Sequence, residues 1–182
     1  MNTPISTAPA RYGALAMALH WVLALGIVCA FLVGWYMSDL PLSPMRLKLF
    51  NWHKWAGITI LALSGFRLLW RLIKRPPADV PMPIWQARAA HAVHWLLYLS
   101  FFAVPLAGWA YSSAAGFRVV WFGVLPLPNL VPIDKALAEQ LKELHSLLAW
   151  GLAGLVALHV AGALKHQFID KDGLIQRMLP GR

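Results

Sequence analysis

Three stretches of this chain, residues 12–38, 89–117 and 144–164, contain no Asp, Glu, Lys or Arg. Each can supply the roughly 20 residues that a helix needs to cross a bilayer. A fourth stretch, about Asn51 to Ile73, carries Lys54, Arg67 and Arg71, but its centre from Trp55 to Phe66 is uncharged. Basic side chains near the ends of such a segment reach the interface on their long apolar stems. The expected fold is therefore all-α, an integral-membrane four-helix bundle. Its helices fall over about 13–37, 49–73, 86–114 and 135–168, in a single domain covering 1–182.

Composition agrees, since 59% of the 182 residues are hydrophobic and 13% are charged, too apolar a balance for a soluble domain of this size. The net charge of +9 has a topological reading. With both termini in the cytoplasm, ten Lys and Arg lie inside and six outside, which sums to the 16 present. No basic run with interleaved aromatics suggests a nucleic-acid partner; lipid is the expected surrounding. Cys29 is the single cysteine, so disulfides within the chain, thiolate clusters and covalent C-x-x-C-H haem attachment are excluded. The first apolar run has no basic leader and exceeds the usual signal-peptide core, so it is expected to be retained. Prolines at 41 and 44 are expected to end the first helix, Pro105 to kink the third, and Asp134 to cap the fourth. The aromatic, proline-rich stretch from Ala115 to Pro132 is expected to lie over the outer mouth of the bundle. Tryptophans such as Trp35, Trp52, Trp55, Trp70 and Trp95 read as an interfacial belt. No internal repeat is evident.

Within these apolar stretches the histidines stand out. His145 and His159 are 14 residues apart on one span, about 21 Å of helix and close to four turns, so both rings leave one face. Polar residues at this depth are costly and mark function. Counting from the helix ends gives each a partner: His53 shares the outer level with His145, and His20 the inner level with His159. A bis-imidazole site without further ligands suits b-type haem, giving two haem b groups. Zinc is the competing guest for histidine pairs, but it takes four converging ligands, and no depth clearly offers four.

Other residues fall at matching depths. Gly34 lies 14 residues outward of His20, and Gly108 lies 14 outward of His94. Either makes room at the outer haem or serves ordinary close packing of helices. Gly57 lies one turn inward of His53, and Gly151, Gly154 and Gly162 are expected to relieve crowding along the fourth helix. Arg67 is 14 residues inward of His53, where it meets a haem propionate or else snorkels to lipid phosphate; Arg71 lies one turn further. His91 and His94 share a face near the level of Lys165 and His166. With Arg71 they form a protonatable cluster suited to a quinone's carbonyls, walled by Trp95 and Tyr98, or they are plain interfacial polar residues.

Taken together, Leu19-His20-Trp21, Asn51-Trp52-His53-Lys54, Phe66-Arg67-Leu68-Leu69-Trp70-Arg71, His91-x-x-His94, Leu141-Lys142-Glu143-Leu144-His145 and Leu158-His159 resemble the prokaryotic cytochrome b561 family over nearly the whole chain. The resemblance implies a di-haem inner-membrane protein with His20, His53, His145 and His159 as ligands. It also implies, through a branch similar to superoxide:ubiquinone oxidoreductase, oxidation of superoxide at the outer face and reduction of ubiquinone near the inner haem. His94, Lys165 and His166 would then border the quinone, and Arg46, Lys48, Lys54 and Arg118 would steer an anionic substrate or form a solvated rim. Two alternatives stand beside this reading. One is an electron-transfer subunit anchoring a partner dehydrogenase, hydrogenase or soluble cytochrome; the other is a histidine-rich metal transporter without haem.

Overall fold

A computed structural model describes residues 11–179. These residues form four helices long and apolar enough to cross a membrane: α1 (Ala14–Ser38), α2 (Pro44–Ile73), α3 (Ile84–Ala114) and α4 (Lys135–Lys165). The bundle is apolar outside as well as inside. Leu25, Leu72 and Leu147 are 67%, 72% and 71% exposed, which suits a lipid surrounding.

Two boundaries differ from expectation. α2 starts at Pro44, five residues before Leu49, because the proline opens the helix where it was expected to act only as a breaker. Ser43 caps it by accepting from the Arg46 N–H at 3.2 Å, and Pro44 loses nothing at a position whose N–H has no helical partner. The regular part of α4 stops at Lys165 and passes into a π-helical turn, His166–Asp170, that ends at Lys171 with a φ of +53°. As expected, Asp134 caps α4, accepting from Leu137 N–H at 3.0 Å.

The polar segment after α4 is folded. A short 3-10 turn, Ile175–Met178, returns to the start of α1, where Tyr12 N–H donates to Arg177 O and Trp21 Nε1 donates to Met178 O at 2.8 Å. Arg177 is 5% exposed and donates to Ala78 O at 2.7 Å in the α2–α3 connection. At the other end, two short strands, β1 (Val120–Trp121) and β2 (Leu125–Pro126), form an antiparallel ribbon. The ribbon docks on α2: Trp55 Nε1 donates to Val120 O at 2.7 Å, and Trp121 Nε1 donates to Thr59 Oγ1 at 3.2 Å. The bundle thus has a terminal end and a ribbon end.

The structure also reveals a repeat. α1 packs chiefly on α2, and α3 chiefly on α4. Position for position at a step of 74, α1 and α3 share His20/His94, Trp21/Trp95, Leu23/Leu97, Gly34/Gly108 and Trp35/Trp109. At a step of 92, α2 and α4 share His53/His145 and Leu63/Leu155. The two steps differ because the segment joining α3 to α4 is longer than that joining α1 to α2, so no single period runs through the chain. Leu23, Ile27, Ile60, Leu97 and Leu152 form the buried core. Ile60 is seven residues from both His53 and Arg67, and Leu152 is seven from both His145 and His159, so the core is an aliphatic layer between two polar levels.

Candidate functional site

At the ribbon end, the rings of His53 and His145 have centroids 6.0 Å apart and planes 85° apart. At the terminal end, His20 and His159 stand 6.2 Å apart with planes at 69°. The partners matched by depth are therefore neighbours in space. An imidazole nitrogen binds a first-row metal at about 2 Å and its ring centre lies about 1 Å behind, so two imidazoles across one ion have centres about 6 Å apart. Both pairs have that spacing. Each pair joins helices from different hairpins, α2 with α4 and α1 with α4.

The ribbon-end rings are held through their inner nitrogens. His53 Nδ1 lies 3.0 Å from Ala30 O, and His145 Nδ1 lies 2.9 Å from Val104 O. A carbonyl only accepts, so each Nδ1 carries the proton and each Nε2 keeps its lone pair for a metal. These donors and this spacing fit a b-type haem, which His53 and His145 would hold. Gly34 and Gly108 lie directly beneath the rings. A Cβ on Gly34 would stand 3.0 Å from His53 Cε1, and one on Gly108 2.9 Å from His145 Cε1. The two glycines thus make room for imidazole. Gly57, Gly151, Gly154 and Gly162 have no atom of another element within 4 Å of such a Cβ.

The terminal-end pair has different company. His94 packs edge-on against His159 at 5.2 Å, closer than two rings facing across an ion would be. Arg67 is half-buried, donates from Nε to the Tyr98 hydroxyl at 3.3 Å, and its charge acts on both His20 and His159. Arg71 lies over the Tyr98 ring at 5.9 Å, and its charge acts on His94. Tyr98 is thus the hub for both arginines and does more than wall a cavity.

The other polar residues named from sequence part company. His91 turns outward to Asp79, 3.0 Å away in the exposed α2–α3 connection. Lys165 forms a bidentate ion pair with Asp170 at 2.6 and 2.9 Å. His166 is largely buried, with Nδ1 2.5 Å from Asp172 and 3.3 Å from Asp170. No hydrogen bond or ring contact joins His94 to His166 among the described residues. Asp79, Asp170 and Asp172 were missed from sequence because they lie outside the spans, and the only signal was their small number: the chain has seven acidic residues in all. Of the cations at the ribbon end, Lys54 lies over the Phe117 ring at 5.7 Å and Arg118 donates to Leu127 O at 3.1 Å.

The sequence of prokaryotic cytochrome b561 proteins matches residues 11–181 of this chain. The chain is 36% identical over 173 residues to cytochrome b561 homolog 2 of Escherichia coli strain K12, covering 94% of this chain and 92% of that protein. It is 31% identical over 179 residues to cytochrome b561 homolog 1 of the same organism, covering 94% and 98%. It is also 31% identical over 176 residues to a Yersinia pestis protein named probable superoxide oxidase CybB, covering 93% and 96%. With a membrane-spanning bundle and paired imidazoles at hand, the chain belongs to the prokaryotic cytochrome b561 family, membrane electron-transfer proteins that carry b-type haem.

Proposed function

We propose that this protein carries electrons across the bilayer from superoxide, at the periplasmic face, to ubiquinone near the cytoplasmic face. Two superoxide anions give up one electron each, leaving dioxygen, and one ubiquinone takes two electrons and two protons. The reading is carried by the two imidazole pairs at 6.0 and 6.2 Å, one toward each end of the bundle. His53 and His145 hold an outer haem, and His20 and His159 an inner one; when bound, the pair supplies one-electron redox chemistry on both sides of the membrane. The excess of basic residues at the terminal end supports placing both termini in the cytoplasm. The similarity to a probable superoxide oxidase supports the choice of donor.

The protein's own groups divide the remaining work. Arg67 lies beside the inner pair, where its guanidinium matches a propionate carboxylate. His94, Arg71 and Tyr98 form a polar wall at that level for a quinone carbonyl. His166, backed by Asp170 and Asp172, stands at the cytoplasmic end of α4 as a group able to pass protons inward, with Lys165 balancing the carboxylates. Arg46, Lys48, Lys54 and Arg118 draw anions to the outer face. Purified protein in liposomes tests the proposal: superoxide should reduce ubiquinone faster than spontaneous dismutation allows. A rate at or below that level rules out superoxide as donor and favours a partner-fed anchor subunit.

A further inference from the structure

The two ribbon-end rings rest in seats of the same design, one in each half of the repeat. We propose that Ala30 with Gly34 on α1, and Val104 with Gly108 on α3, are paired seats that fix the planes of the two outer axial imidazoles and set the outer haem's potential. The proposal rests on the two-haem reading above. In each seat a carbonyl takes the Nδ1 proton, at 3.0 Å for His53 and 2.9 Å for His145. The residue four positions on is glycine in both cases, 34 − 30 = 4 and 108 − 104 = 4. Side chains of a helix lean toward its N-terminus, so a side chain one turn on would overhang that carbonyl. Glycine uncovers it. A methyl group there would push on the ring, at 3.0 Å in one seat and 2.9 Å in the other.

Two consequences follow from one geometry. The Nδ1–Cε1 edge of each ring meets both the glycine and the carbonyl, which fixes its rotation and holds the two planes 85° apart. The bond from Nδ1–H to the carbonyl makes the imidazole a stronger donor at Nε2, which favours the oxidised metal. Each hairpin seats its own ring, since α2 leans on α1 and α4 on α3, so the outer site is built symmetrically across the repeat. The terminal-end pair is not built this way: at the step of 92, His159 corresponds to Arg67, and no matching pair of carbonyl bonds holds His20 and His159 among the described residues. The inner site therefore serves as an internal control.

The experiment uses the full-length haem-loaded protein with Gly34→Ala, Gly108→Ala and, as a comparison on the same helix, Gly26→Ala, whose Cβ would meet Ile60 at an ordinary 3.7 Å. Electron paramagnetic resonance of the oxidised protein reads the angle between axial ring planes through the anisotropy of each low-spin signal, and a redox titration reads each midpoint. Both seat variants are expected to change the anisotropy of the outer signal and shift its midpoint upward, or to lose the outer haem alone. The inner signal and midpoint should stay, and Gly26→Ala should leave both sites unchanged. An unchanged outer site in either seat variant, a change of the inner site as large as the outer, loss of both haems, or an equal effect from Gly26→Ala overturns the proposal. Wild-type protein with fewer than two haems would instead refute the two-haem reading.

Discussion

The ring of His53 faces the ring of His145 at 6.0 Å, with one ring supplied by each half of a repeated hairpin. Because the two halves each give one nitrogen, neither can complete the site alone. His53→Ala and His145→Ala should therefore remove the same haem, and His20→Ala and His159→Ala the other. Each single variant should halve the haem-to-protein ratio, read by pyridine haemochrome assay, and leave one of the two redox transitions in place. Loss of different haems from the two members of a pair would refute the pairing.

Arg67 holds a positive charge beside the inner pair, where it favours the state that has gained an electron. At roughly 6–8 Å and an effective dielectric of about 20, such a charge contributes roughly 2–3 kcal/mol, which for one electron is on the order of 100 mV. Arg67→Leu should lower the inner midpoint by about that amount while the outer midpoint moves far less. An inner midpoint that stays or rises would mean that the guanidinium is directed to lipid.

Asp172 orients His166 at the exit of α4. Asp172→Asn keeps the shape but removes the charge that holds the imidazole. Given the 10²- to 10⁴-fold contribution typical of a positioned acid, ubiquinone reduction should slow by roughly tenfold or more. Reduction of the haems by an external donor should be unaffected. Equal slowing of both would place the defect in folding; no slowing would remove His166 from the proton path.

Arg177 closes the terminal end by linking the returning tail to Ala78 O and lying over the Tyr12 ring. A hydrogen bond from a charged group contributes about 1.5–3 kcal/mol, and here the donor side chain is itself buried. Arg177→Ala should lower the thermal midpoint in matched detergent while the outer haem spectrum stays unchanged. Wild-type stability in this variant would show that the tail is held by its backbone, Trp21 and Arg11 without help from Arg177.

The spans were legible because lipid imposes a rule that composition alone reveals: long runs without charge. The matched depths of His53 with His145 and of His20 with His159 were legible for a related reason, since the rise of a helix turns residue numbers into distance. Pro44 misled because the same ring that breaks a helix interior is well suited to its first turn. Gly34 and Gly108 were found by spacing, at the level of His53 and His145, but the carbonyls beside them were not. The groups they expose are the carbonyls of Ala30 and Val104, and backbone atoms have no signature in a sequence. The acidic partners of His91, Lys165 and His166 were invisible because each depends on local backbone that a regular helix would not give: the α2–α3 connection for Asp79, the π-helical turn for Asp170 and the turn at Lys171 for Asp172.

α4 supplies one ring to each pair, His145 at one level and His159 at the other. It is also the last of the four helices to leave the ribosome. The first three helices can therefore enter the membrane with His20 and His53 each lacking its opposite ring, and both pairs close on the arrival of a single segment. Biogenesis then has one checkpoint in place of two. A chain cut short before α4 could not form either pair, so it would not yield a protein with half the wire in place.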